Sequence, residues 1–176
     1  MTLFIEQCDI KKHNKIIKNL FMNKNYTNFY NNLITLSRNK KLYSGFKRQD
    51  TFYDRLVFFL LHFAFILKNF KNKENSVTLQ EIYDFNFRQL ELSIREIGYG
   101  DQSINKKMKD YINLFHSMVS EIHFWDNLSK REKINKFSIF LSNFDNYDDL
   151  IEYFEVFNEN LSKKTLNSYL KSVSNP

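Results

Sequence analysis

Proline occurs once in this chain, at the last residue, Pro176, and glycine three times, at Gly45, Gly98 and Gly100. A sandwich or barrel of short strands needs turn residues every 8–12 positions or so, and this sequence does not supply them. Long uninterrupted stretches with periodic apolar residues instead predict helices joined by short polar loops. The chain has 176 residues, 43% of them hydrophobic and 17% aromatic, with 19 Phe and one Trp. That content is incompatible with a disordered chain and sufficient for a buried core. The fold class expected is all-α: one compact bundle of six to seven helices, with residues 1–176 forming a single domain. A lone cysteine, Cys8, excludes a disulfide scaffold and a cysteine-rich metal cluster.

The helices can be placed by capping signals and spacing. Met1 to Leu20 contains Glu6, Asp9 and several lysines, and reads neither as a secretory signal nor as a transit peptide. Asp9 is a candidate cap for a helix carrying Ile16, Ile17, Leu20 and Phe21, and helical spacing continues through Tyr26, Phe29, Tyr30, Leu33 and Ile34. Residues 39–51 are polar and contain Gly45, so they read as a loop. Phe52 to Phe70 is the most apolar segment, but Asp54, Arg55, Lys68 and Lys71 flank it and the run is too short to span a bilayer. It is expected to be the central buried helix. Thr78-Leu-Gln-Glu81 and Ser129-Lys-Arg-Glu132 are capping-box sequences. The helix after Thr78 carries Ile82 and Phe85 and is expected to end at Gly98 in a left-handed turn. Asp101 or Ser103 is expected to cap the next, with Ile104, Met108, Ile112, Phe115 and Val119 on one face. Asp145 or Asp148 is expected to cap the last region, around Leu150, Ile151, Phe154 and Phe157.

Charge is uneven. The formal net charge is +6, with residues 1–50 at +7 and residues 137–176 at −3. A basic front end favours a partner of negative character. A single alanine, Ala64, amid abundant Lys, Asn, Ile and Phe points to an AT-rich genome, which by itself raises the lysine content.

Catalytic constellations are missing from the sequence pattern. There is no P-loop, dinucleotide fingerprint or nucleophile elbow. Cys8 and His13 lack a third group to orient them. His116 and His123 lie seven apart, wider than the i, i+4 spacing of helical zinc ligands. His62, inside the apolar helix, is expected to be neutral and hydrogen-bonded. The acids Asp145, Asp148, Asp149, Glu152 and Glu155 lack the glycine and alternation of a calcium loop and suit a helix start. No metal, cofactor or catalytic residue is therefore expected. One segment concentrates two of the three glycines with many charges, Arg95 to Lys109. Its pattern is a helix end, a tight turn and a helix start bearing Lys106, Lys107 and Lys109. This is either a plain helical corner or a grip for an anionic or carbonyl-rich partner.

At that segment the sequence resembles the ubiquinol–cytochrome c chaperone family, which shows an L-R-E-x-G-V-G-D-x-x-V-x-K-x-x-K pattern. Ile94, Arg95, Glu96, Gly98, Gly100, Asp101, Ile104, Lys106 and Lys109 fall on it, with Tyr99 in place of the small apolar residue. Upstream, Tyr30, Leu33, Ile34 and Arg38, then Leu42 and Tyr43, then Asp50, Thr51 and Arg55, then Leu61, His62 and the run to Lys68 keep the same register. Departures are Gln49 for Pro, Asp54 for Gly, Val57 for Asp and Asn69 for Arg. The similarity covers about residues 30–125, with helical extensions on either side.

The resemblance implies an all-helical, non-enzymatic chaperone that binds newly made cytochrome b and promotes assembly of the cytochrome bc1 complex. It further implies a small co-chaperone and the ribosome as partners, and for a bacterial copy a place in the cytoplasm, peripheral to the inner membrane. A basic front end suits ribosomal RNA or an anionic membrane surface; no DNA partner is expected. The expected partner-binding surface comprises Tyr43, Asp50, Thr51 and Arg55 together with Arg95, Glu96, Gly98, Gly100, Asp101, Lys106 and Lys109. Rival readings are a basic helical module that binds nucleic acid or the ribosome, and a small metal enzyme using His116 and His123.

Overall fold

Eleven consecutive residues, Leu56 to Ile66, are buried, which leaves no side of that helix facing solvent. A helix apolar on every face must be surrounded by others, and this one is the axis of the molecule. The computed structural model describes residues 25–174. Seven α-helices occur among them: α1 (residues 25–37), α2 (Phe52–Phe70), α3 (Ser76–Glu96), α4 (Asp101–Ile122), α5 (Lys130–Ser138), α6 (Tyr147–Ser162) and α7 (Leu166–Ser174). Two short 3-10 turns, Lys40–Tyr43 and Trp125–Asn127, complete the list. The all-α class and the helix number match the sequence expectation. The helix expected after Asp9 and the Cys8–His13 pair lie outside the described residues.

Aromatic side chains of α2 reach the surrounding elements in turn. Phe63 stacks on Phe115 of α4 with centroids 4.9 Å apart, and Phe65 stacks on Phe154 of α6 at 5.0 Å. Edge-on contacts join Phe63 to Phe29 of α1, Phe65 to Trp125, and Phe58 to Tyr43. Offset and edge-on pairs of this kind add about 0.5–1.5 kcal/mol each beyond the burial of their area. No helix among the described residues is long and apolar enough to cross a membrane.

Several local expectations need correction. Residues 39–51 join α1 to α2 as the expected loop, but the loop contains a 3-10 turn and is partly buried: Leu42, Gly45 and Phe46 are covered, and Phe46 forms an isolated antiparallel bridge with Phe144. The Thr78–Glu81 box does not start α3, which begins at Ser76 after Asn75. Asn75 closes the preceding loop by donating to the Phe70 carbonyl at 2.9 Å, and Glu81 instead accepts from the Tyr26 hydroxyl at 2.6 Å. Neither Asp145 nor Asp148 caps α6. Asn146 does so, while the Asp145 carboxylate pairs with Lys47 at 2.7 Å and Asp148 pairs with Lys130. The Ser129–Glu132 box forms as expected at the start of α5.

Asn86 is an anomaly in this core. It lies 1% exposed on the inward face of α3, and both its amide atoms lack a hydrogen-bond partner.

Candidate functional site

The expected surface residues fall into two clusters. The first lies at the start of α2. Thr51 caps the helix and forms a reciprocal capping box with Asp54, a pairing the sequence signals through its T-x-x-D spacing. Asp54 is buried and accepts from the two terminal nitrogens of the Arg48 guanidinium at 2.6 and 3.0 Å. Burial alone would raise its pKa, but hydrogen bonds from Arg48 and Thr51 outweigh that and hold the carboxyl below the usual range. Arg48 also lies over the Phe46 ring, 4.8 Å from its centroid. Asp54, a departure from the family pattern, is thus a structural anchor of this helix start. Outside it, the exposed Arg55 side chain pairs with Asp50, and this hydrogen bond lowers the Asp50 pKa. Tyr43 donates its hydroxyl to the Ser37 carbonyl. Burial and the nearby Asp50 charge push that phenol up to about 12, so it stays protonated.

Beside this cluster runs a groove of about 230 Å³ between α1, α2 and α3. Its apolar lining includes Tyr30, Ile34, Leu56, Phe59 and Leu90, and the exposed Arg38 and Arg55 border it. Phe52 and Tyr53 at the helix start are each 46% exposed, although aromatic.

The second cluster is the α3–α4 elbow. Gly98 has φ +95, the left-handed conformation expected of the residue that ends α3. Gly100 is the N-cap of α4, so neither Asp101 nor Ser103 caps it. The Asp101 carboxylate turns back instead to Arg95, which also holds Glu91 at 2.8 Å. These pairs keep the guanidinium across the turn. Lys107 lies over the Tyr99 ring at 4.5 Å, while Lys106 and Lys109, three apart on α4, are exposed on one face. Ile97 and Tyr99 are 59% and 44% exposed. The elbow is therefore open, with cations and apolar side chains interleaved.

The two clusters are not joined by a hydrogen bond or ion pair among the described residues. They share α3: Leu90 and Ser93 line the groove next to Arg55, and Arg95 follows two positions later. Elbow substitutions should separate folding from function cleanly. An added Cβ at Gly98 or Gly100 meets nothing within 4 Å. Gly98→Ala should still lower stability by about 1 kcal/mol because of its positive φ, whereas Gly100→Ala should change it by less than about 1 kcal/mol, since the stiffer unfolded chain offsets alanine's poorer fit to an N-cap. Asp101→Ala should cost less than about 1 kcal/mol, the value of an exposed ion pair. Urea denaturation of the three variants checks all three values.

His62 meets its sequence expectation. Its Nδ1–H donates to the Phe58 carbonyl at 2.6 Å and its Nε2 accepts from the Tyr153 hydroxyl at 2.8 Å. His116 faces Tyr83, and His123 lies against Phe124. No group of three or more His, Cys, Asp or Glu converges as a metal site among the described residues.

Residues 44–123 match the family described as Ubiquinol-cytochrome C chaperone. The matched span contains α2, α3, the elbow and α4, and it falls inside the stretch 30–125 that carries the sequence resemblance. No curated protein matches the sequence significantly. Among solved structures, the fold is similar to that of the Cbp3 homolog from Brucella abortus, with a TM-score of 0.68 and 22% identity over 90% of this chain and 94% of that one.

Proposed function

We propose that this protein is an assembly chaperone of the cytochrome bc1 complex and that it binds newly made cytochrome b, a reading supported by the match of residues 44–123 to the family described as Ubiquinol-cytochrome C chaperone. It acts by binding, not by catalysis. The client surface of this reading runs from the α2 entry (Tyr43, Asp50, Thr51, Arg55), along the groove, to the elbow (Arg95, Glu96, Gly98, Gly100, Asp101, Lys106, Lys109). What most supports it is the juxtaposition of exposed apolar side chains (Phe52, Tyr53, Ile97, Tyr99) with arginines and lysines along one helix, α3, and its two neighbours. An unfinished membrane subunit offers apolar helices whose ends carry charges and open carbonyls. An apolar trough bordered by guanidinium and ammonium groups suits such a client. Lysines beside exposed aromatics also suit an anionic membrane surface, where the client is delivered. In this reading the protein works in a bacterial cytoplasm against the inner membrane, with a small co-chaperone and the ribosome as further partners.

The test replaces Arg95, Gly100 and Asp101, singly and together, in a host that makes a bc1 complex. Assembled complex is measured on native gels, and cytochrome b is measured in pull-downs with the tagged protein. Since Gly100→Ala and Asp101→Ala are each expected to change stability by less than about 1 kcal/mol, the expected result is loss of cytochrome b capture and of assembled complex at normal chaperone level. Normal assembly by the folded triple variant would overturn the surface assignment, and normal assembly in cells lacking the protein would overturn the function.

A further inference from the structure

A larger cleft lies away from the elbow, between the Lys40–Tyr43 turn and α6. It has a volume of about 590 Å³. Its floor is apolar: Leu42 and Leu150 are 1% and 3% exposed, and Phe157 lies beside them. Tyr153 forms a wall, its hydroxyl held by the buried His62 ring, so that side chain is fixed in place. Val156 stands on the edge, 53% exposed, an aliphatic side chain left in water. The α6 positions bordering the cleft include 149, 152, 153, 156, 157 and 160, one face of the helix over about 17 Å. A trough of this form parallel to one helix is filled by another helix packing alongside it.

Charge identifies the occupant. Helix α6 bears five acids. Asp148, Glu155 and Glu159 are each neutralised, by Lys130, Lys133 and Lys163. The two that border the cleft, Asp149 and Glu152, meet no basic side chain at ion-pair distance among the described residues. Lys41 lies on the opposite lip. Unneutralised carboxylates flanking an apolar floor repel an anionic lipid surface and complement a cationic one.

We propose that this cleft is a second docking surface, separate from the elbow, and that it takes a cationic amphipathic helix of a partner protein. The partner's apolar side chains cover Val156 and Phe157, and its lysines or arginines face Asp149 and Glu152. The inference does not depend on the chaperone reading.

The probe is a fluorescein-labelled helical peptide of leucines and lysines at amphipathic spacing, with a leucine–glutamate peptide of the same pattern as its counterpart. Anisotropy titrations against the full chain should give binding of the lysine peptide alone. Glu152→Lys should weaken it at least tenfold. Val156→Asp removes the apolar anchor yet adds an acid, so docking in the cleft predicts at least a fivefold loss, whereas a purely ionic attraction predicts tighter binding. Both residues are exposed, so both variants should fold, as far-UV circular dichroism and Tm will register. The Lys106→Glu, Lys109→Glu variant should bind the peptide like the parent. Unchanged or tighter binding by Val156→Asp, no effect of Glu152→Lys, or concentration-dependent dimerisation abolished by either variant would overturn the proposal.

Discussion

Lowering the pH from 7 to 4 is expected to remove about 3 kcal/mol of stability through one residue, His62. The ring is fully buried, and both its nitrogens already have partners in the neutral form. A proton on Nε2 would force the Tyr153 hydroxyl to turn from donor to acceptor, and no carboxylate hydrogen-bonds the ring to stabilise the charge. Desolvation therefore pushes the pKa from 6.5 down to about 4, against a smaller upward pull from the Phe58 carbonyl. The unfolded chain takes up its proton near pH 6.5 and the folded one near 4. Between those values the unfolded state binds more protons. The stabilisation is thus complete above about pH 6.5 and is lost at up to about 1.4 kcal/mol per unit as the pH falls toward 4. Carboxylates with ordinary values titrate mostly below about 5, so the window from 6.5 to 5 reports chiefly on histidine. Urea titrations across that window should show a steep slope for the parent protein. His62→Gln, which keeps a donor and an acceptor, should flatten it, and equal slopes would contradict the assignment.

Gly45→Ala should lower stability by about 2–3 kcal/mol, in the range of an overpacked core. A Cβ there would lie 2.6 and 2.7 Å from the Phe144 ring and 2.8 Å from the Asn146 backbone nitrogen. The ring cannot withdraw easily, because Phe46 packs edge-on against it at 5.0 Å and Tyr147 at 5.1 Å. Nor can the backbone, without breaking the hydrogen bond that the Asp145 N–H donates to the Gly45 carbonyl. For a chain of this length the loss corresponds to a fall of about 5–10 °C in Tm, and a change under about 1 °C would refute the argument. The contrast with Gly100→Ala is the informative part: one glycine is required by its neighbours, the other by nothing within reach of a Cβ.

How much was legible in the sequence differed between elements. Helix α2 was readable because eleven successive buried residues leave an apolar run with no polar face. The end of α3 was readable because only glycine adopts φ +95 without strain. The Ser129–Glu132 box was readable because both partners lie within one turn. Caps failed where a distant residue competed for the same group. Glu81 went to Tyr26, Asp101 to Arg95, and the Asp145 carboxylate to Lys47. Such competition depends on which segments meet, which local spacing does not encode. Burial within the loop 39–51 was hidden for the same reason: Leu42 and Phe46 are too few to make a periodic signal, yet both are buried, Phe46 against Phe58 and Phe144.

The candidate site divides similarly. Its elbow half was visible as a cluster of glycines and charges in a glycine-poor chain. The 230 Å³ groove, the α6 cleft and the unpartnered Asn86 amide were not, since each is bounded by residues far apart in the chain. By itself the sequence determined that the chain is helical, where the central helix lies and where the elbow turns, because capping, periodicity and glycine geometry are local properties. Only the tertiary structure decided which acids are neutralised, which glycine is essential and where the grooves open, because those depend on the distance between segments that nothing but packing brings together.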